Sequence, residues 1–209
     1  MSESDAQTPR MSKKQKTTLI VLSAVAVFLV IAIVGTLWVA RTRFRLQYVD
    51  LIQKYSAEYA LEPTFVTGVI YTESKFRERA VSRAGARGLM QIMPGTAKDI
   101  ADKLGEPFNP DDPADLERLY DPDTSIRYGC FYLREQLDRF DQNPAVTLAA
   151  YNGGPENAEK WLREYGLDSK DRIRYIPFPE TSNYVTRVFR AQKIYAFLYS
   201  KELAKKTED

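Results

Sequence analysis

The chain has 209 residues, with 30 basic and 28 acidic side chains, no histidine and a single cysteine, Cys130. The missing histidines exclude Ser-His-Asp and Cys-His catalysis and histidine-based zinc sites, and a lone cysteine excludes an internal disulfide or a thiolate zinc cluster. Four of the bases and two of the acids lie in residues 1–40, so 26 of each remain beyond it; a domain so close to neutral overall implies no strong attraction to nucleic acid or to a membrane surface.

Residues 1–16 are polar, with Arg10, Lys13, Lys14 and Lys16, and are expected to be a short, disordered cytoplasmic tail. Residues 17–40, TTLIVLSAVAVFLVIAIVGTLWVA, carry no charge. As a helix this run is long enough to cross about 30 Å of hydrocarbon. It exceeds the apolar region of a usual signal peptide and has no small-x-small cleavage site or lipobox cysteine, so an uncleaved transmembrane helix is expected. Arg41, Arg43 and Arg45 on its far side balance the bases before it, and charge alone leaves the orientation tied. Residues 41–209 are expected to form one domain, large enough for a core of its own.

In that domain, Tyr48, Ile52, Tyr55 and Tyr59 recur at helical spacing and predict a helix over 44–61. Pro63 suits the first turn of the next helix, whose apolar Phe65, Val66, Val69 and Ile70 lead to Glu73. A charged, glycine-containing loop follows. A helix from Pro94 to about Leu104 ends at Gly105, a natural C-cap. Residues 106–121 read as a loop with one short turn around Leu116. Asp121-Pro122 opens a helix with Ile126, Cys130, Leu133, Leu137 and Phe140 on one stripe, which makes Cys130 a small core residue. Asn143-Pro144 caps a helix running through Tyr151 to Gly153-Gly154, a short helix holds Trp161 and Leu162, and the last helix spans about Thr181 to Leu203. With no alternating strand pattern and no repeat, the fold class is all-α.

The chemistry concentrates in residues 69–95, VIYTESKFRERAVSRAGARGLMQIMPG. Glu73 is a carboxylate at the end of an apolar helix that faces an irregular loop. Burial there disfavours the charged form and raises the pKa, as a general acid requires near neutrality. Alone, such a glutamate is more often a solvated surface residue.

Its company is more specific. Glu73-Ser74-Lys75-Phe76, the stretch GLMQIMPGTA at 88–97, Ala150-Tyr151-Asn152-Gly153-Gly154-Pro155, and Pro179-Glu180-Thr181 followed by Tyr184 occur in that order. Together they resemble the soluble-lytic-transglycosylase-like (SLT) family, bacterial peptidoglycan lyases with a lysozyme-like domain, over about residues 50–200. The resemblance implies a mostly helical member of the α+β lysozyme-like superfamily, preceded here by one transmembrane helix. It implies that Glu73 is the catalytic acid and base, that Ser82 and Gln91 contact sugar substituents, and that Met93 forms an apolar wall. Tyr151 and Asn152 come from the AYN motif, Glu180 and Tyr184 from the ETxxY pair at the cleft base, and Tyr132 matches a cleft aromatic. On residue type alone, plainer roles stay open. Ser82 suits a turn, Met93 and Tyr132 suit a core, Gln91 suits backbone groups, Tyr151-Asn152 suits a helix end, and Glu180 suits a helix first turn. Arg77-Glu78 stands where the family often has Asn-Pro.

The implied substrate is the peptidoglycan glycan strand, and no metal or cofactor is required. Glu73 would protonate the oxygen between N-acetylmuramic acid and N-acetylglucosamine, then take the proton of the C6 hydroxyl as it attacks C1, leaving a 1,6-anhydro end. A lysozyme-like hydrolase and a non-catalytic, membrane-anchored glycan-binding protein are the alternatives. An extracytoplasmic substrate puts the N-terminus in the cytoplasm and the domain outside.

Overall fold

The computed structural model describes residues 12–204, and nine helices among them. They fall into two units, Met1–Arg45 and Leu46–Asp209.

The first unit is the helix α1 (Lys13–Arg43), none of whose residues is buried. It encloses the uncharged run 17–40 and is the one described helix long and apolar enough to cross a membrane. It begins earlier than expected. Ser12 accepts from the Gln15 backbone N–H while the Gln15 side chain accepts from that of Ser12, a reciprocal cap that draws Lys13, Lys14 and Lys16 into helix. The rest of the expected polar tail, residues 1–11, lies outside the described residues.

Among its described residues the second unit combines helices and loops with three isolated bridges, Val81 with Arg87, Arg87 with Ile92, and Leu167 with Ile173. Its first helix, α2 (Val49–Glu58), is shorter than the 44–61 read from periodicity. At its start Tyr48 sits in the left-handed region, φ 55°, with its ring 6.4 Å from that of Phe76 and its hydroxyl bonded to Glu78. At its end Ala60 is also left-handed and the Leu61 N–H reaches back to the Ser56 carbonyl, a Schellman closure that brings Leu61 into the core. Tertiary contacts thus trim both ends of the amphipathic pattern.

The remaining helices are α3 (Pro63–Ser74), α4 (Pro94–Leu104), α5 (Pro113–Arg118), α6 (Pro122–Arg139), α7 (Pro144–Gly153), α8 (Pro155–Tyr165) and α9 (Pro179–Leu203). Each starts on a proline, whose missing N–H costs nothing in a first turn and whose fixed φ suits helix. Asp112, Asp121 and Asn143 cap three of them with their side chains. Cys130 is fully buried on the inner stripe of α6, as its position predicts.

α3 is the centre of the domain. Nine of its residues are buried, and it lies mainly along α9. The two backbones approach at Gly68, where a Cβ would stand 3.0 Å from the Val188 carbonyl oxygen and 3.1 Å from the Gln192 nitrogen. Rings from α3, its C-terminal loop and α9 continue the contact: Tyr71 lies 5.6 Å and Phe76 5.9 Å from Tyr195. α7 packs on α6, α8 and α9, so its C-terminal end and the start of α9 both reach the end of α3 that carries Glu73.

Candidate active site

Glu73 occupies the last turn of α3. Lys75 and Phe76 then turn the chain sharply, both with positive φ, 53° and 63°. This turn is pinned on several sides. The Ser74 hydroxyl, 1 % exposed, donates to the Leu89 carbonyl at 2.8 Å, Arg77 Nε donates to the Ser74 carbonyl, and Phe76 is buried under Tyr48 and Tyr195. The loop that returns to α4 is equally constrained. Gly88, φ 79°, leaves no room for a side chain, because a Cβ would fall 1.9 Å from the Leu119 carbonyl oxygen. The Met90 N–H donates to Ser125 Oγ, a buried hydroxyl on α6.

The Glu73 side chain retains some exposed surface, while protein surrounds its carboxyl group. Burial pushes its pKa from 4.5 to about 7; the Tyr184 hydroxyl and the Arg187 guanidinium pull against that shift and the Glu180 carboxylate adds to it. Of the carboxylates displaced from their ordinary values among the described residues, Glu73 alone is raised. Tyr184 is 2 % exposed and its hydroxyl makes no hydrogen bond of good geometry. It stands close enough to the carboxylate to lower the Glu73 pKa. Burial and the nearby Glu73 charge push both Tyr184 and Tyr151 well above the ordinary tyrosine pKa, so both stay protonated donors.

Tyr151, in the last turns of α7, donates its hydroxyl to the Met90 carbonyl at 2.8 Å, and Tyr132 of α6 leans against it with ring centroids 5.3 Å apart. Burial pushes Tyr132 up to about 12. Glu180 is exposed in the first turn of α9, within electrostatic reach of Glu73. Glu73, Tyr132, Tyr151, Glu180 and Tyr184 therefore form one group, drawn from α3, α6, α7 and α9.

The remaining expected residues are placed less directly. Gln91, left-handed at φ 51°, donates its side-chain amide to the carbonyls of Ala80 and Gly88 at 3.0 and 2.9 Å, so it holds the loop together while its amide oxygen stays free to accept. Ser82 Oγ accepts from the Ala86 N–H within a turn. Met93 is 40 % exposed at the N-cap of α4, away from the core that its type also allowed. Asn152 is half-buried beside Tyr151. No hydrogen bond links Ser82, Met93 or Asn152 to Glu73 among the described residues.

Sequence reading missed Arg187, one turn beyond Tyr184, and Tyr48, whose ring and hydroxyl steady the loop after Glu73. The Arg77-Glu78 departure supplied the only signal for the latter, since Glu78 is the partner of Tyr48.

Glu73, at the end of the buried helix α3, lies beside the buried Tyr184 and near the half-buried Tyr151 in a helical domain. The family model for the transglycosylase SLT domain matches residues 50–173, and the chain belongs to that family. It is 33 % identical over 168 residues to the soluble lytic murein transglycosylase of Escherichia coli K12, covering 79 % of this chain and 25 % of that protein. It is 31 % identical over 170 residues to the membrane-bound lytic murein transglycosylase C of Actinobacillus pleuropneumoniae, covering 71 % of this chain and 46 % of that one. Among solved structures, the 70 kDa soluble lytic transglycosylase of E. coli superposes with a TM-score of 0.70 at 32 % identity, over 82 % of this chain and 28 % of that one. An inactive glutamate-to-glutamine mutant of the Pseudomonas aeruginosa lytic transglycosylase Slt superposes at 0.67 and 32 % identity, over 75 % of this chain and 25 % of that one. The chain thus spans only about a quarter of the length of its soluble relatives.

Proposed function

We propose that this protein is a membrane-anchored lytic transglycosylase that cleaves the β-1,4 bond between N-acetylmuramic acid and N-acetylglucosamine in peptidoglycan without consuming water. The observation that carries the reading is Glu73, a carboxyl whose pKa of about 7 lets one group donate and later accept a proton near neutral pH. Protonated Glu73 gives its proton to the glycosidic oxygen. The positive charge at the muramic C1 is met by the substrate's own acetamido group. Ionised Glu73 then removes the C6 hydroxyl proton as that oxygen attacks C1, closing the 1,6-anhydro ring. Tyr184 is a donor beside Glu73 that would favour its ionised state in the second step, while Tyr151 holds the Met90 carbonyl nearby. Glu180, exposed at the start of a helix, serves as a polar floor of the cleft and takes no nucleophilic part. Ser82, Gln91, Met93, Tyr132 and Asn152 serve as the surrounding glycan contacts.

The proposed organisation is a cytoplasmic tail over residues 1–16, a membrane span over 17–40 within α1, and an extracytoplasmic catalytic domain from 41 to 209. The apolar length of α1 and the membrane-bound relative support the anchor.

Mass spectrometry of purified peptidoglycan digested by the full chain tests the reaction. Products should carry 1,6-anhydromuramyl ends. Reducing muramic ends would make the enzyme a hydrolase, and glycan binding with no new ends of either kind would leave a binding protein. Protease added outside spheroplasts should digest the domain after Arg41; protection until lysis would reverse the orientation.

A further inference from the structure

Helix α9 has two faces. Tyr184, Val188, Ala191, Tyr195 and Leu198 point inward and are buried. About a third of a turn round, at the spacing of one helical stripe, lie Arg190, Lys193, Ile194 and Phe197, and Lys201 follows beyond the break in helical φ/ψ at Tyr199. An outward stripe on a soluble domain is expected to be polar and mixed in charge. This one contains no acid, and Phe197, 75 % exposed, is the most exposed large apolar side chain described. Of the other exposed aromatics in the domain, Phe178 covers Trp161 and Tyr175 packs on Tyr165. Arg190, Lys193 and Lys201 enter no ion pair among the described residues.

Beside the stripe runs a trough of about 770 Å³, walled by Phe189 and Ile194 and lined by Lys170, Arg190 and Lys193, with Asp171 as its one acid. The C-terminal end of α9 lies against α2, the helix by which the chain enters the domain. The Gln53 side chain on α2 donates to the carbonyls of Glu202 and Ala204, both at 2.9 Å, and Tyr48 reaches Tyr195 through Phe76. Four residues, Phe44 to Gln47, precede Tyr48 after the end of α1.

We propose that this face of α9 is an interfacial surface that docks the domain on an anionic lipid bilayer, with Phe197 and Ile194 entering the headgroup boundary and Lys170, Arg190 and Lys193 holding lipid phosphates in the trough. Basic residues interleaved with exposed apolar ones on one helix face are the pattern of a helix lying in a bilayer interface. A protein partner would need matching acids; a leaflet of anionic lipid presents them everywhere within reach of so short a connection. The proposal rests on the reading of α1 as a membrane anchor.

The test uses the full chain with Trp38→Phe and Phe197→Trp, placed in nanodiscs of brominated phosphatidylcholine with or without about one third brominated phosphatidylglycerol. Co-elution with discs reports the anchor; quenching of the new indole reports docking, with buried Trp161 as constant background. Quenching of at least twofold is expected in anionic discs and not in zwitterionic ones, with its loss in 1 M salt or with Arg190→Glu and Lys193→Glu, neither of which should alter co-elution. Equal quenching in both lipids, or none in a co-eluting chain, overturns the docking surface. Quenching that appears only when discs hold two chains overturns it in favour of a contact between copies. A chain that co-elutes with neither disc overturns the anchor reading itself.

Discussion

Helices α1 and α3 are both rich in apolar residues, yet none of α1 is buried while α3 is buried along most of its length. The difference lies in what each helix offers a neighbour. α3 carries Gly68, which admits the backbone of α9 to about contact distance, and Thr67 and Thr72 return their hydroxyls to carbonyls of their own helix. α1 also carries small residues, Ser23, Gly35 and Thr36 among them, but its uncharged run of residues 17–40 is long enough to suit a solvent of lipid chains. Apolarity and small residues alone therefore do not say what a helix is buried in; its length does. Only the helix buried in protein can place a carboxyl where desolvation tunes it.

The largest effect expected bears on that last point. Glu73→Gln keeps the shape of the end of α3 and removes its proton. Turnover of peptidoglycan, read as anhydromuramyl ends, should fall about 10³- to 10⁴-fold or more, because the proposed mechanism asks one group to act in both steps. Near-normal turnover would mean that the buried helix tunes nothing and the site assignment must be withdrawn. In the wild type, turnover should decline as pH rises through about 7, where the proton donor is lost.

Next comes α1. Phe28→Lys places a charge near the middle of the proposed span and should cost about 3 kcal/mol of insertion, or roughly 100-fold in the membrane-bound fraction. The thermal midpoint of the domain should not move. Persistent membrane retention would assign the attachment to the domain instead.

A third test compares the two helices through pH. The folded pKa of Glu73, about 7, lies above its ordinary 4.5, so between those values the folded chain holds a proton that the unfolded chain has lost. The resulting stability is full below pH 4.5 and disappears as pH rises through about 7. With some allowance for the partial exposure of Glu73, the loss is on the order of 2–3 kcal/mol. Denaturant titrations of wild type and Glu73→Gln at pH 4 and 8 should differ by that amount in their pH dependence, the variant being flatter. Parallel curves would show that the carboxyl is solvated.

The smallest effect expected is at Gly68. Gly68→Ala drives a methyl against the Val188 carbonyl oxygen and should cost about 1–3 kcal/mol as α9 is pushed outward. The same change at Gly35 of α1, where nothing lies within 4 Å, should be silent in domain stability. A tolerated alanine at Gly68 would show that the two helices are packed loosely.

Much of this could be read from local chemistry. Prolines and Asp or Asn caps mark helix starts, Gly105 marks a helix end, and the uncharged run marks α1, because these depend on backbone geometry and on residues a few positions apart. The motif order was sufficient to recognise the family and to single out Glu73. The resemblance put Tyr184 in the cleft, but the sequence could not reveal that it is buried beside the Glu73 carboxyl, that Gln91 is occupied with two loop carbonyls, or that Tyr48 ends the pattern of α2 to brace Phe76 and Glu78. Those follow from α3 lying against α9 with α7 alongside. A pKa depends on the dielectric and charges in three dimensions around one group, and only tertiary packing brings those groups together.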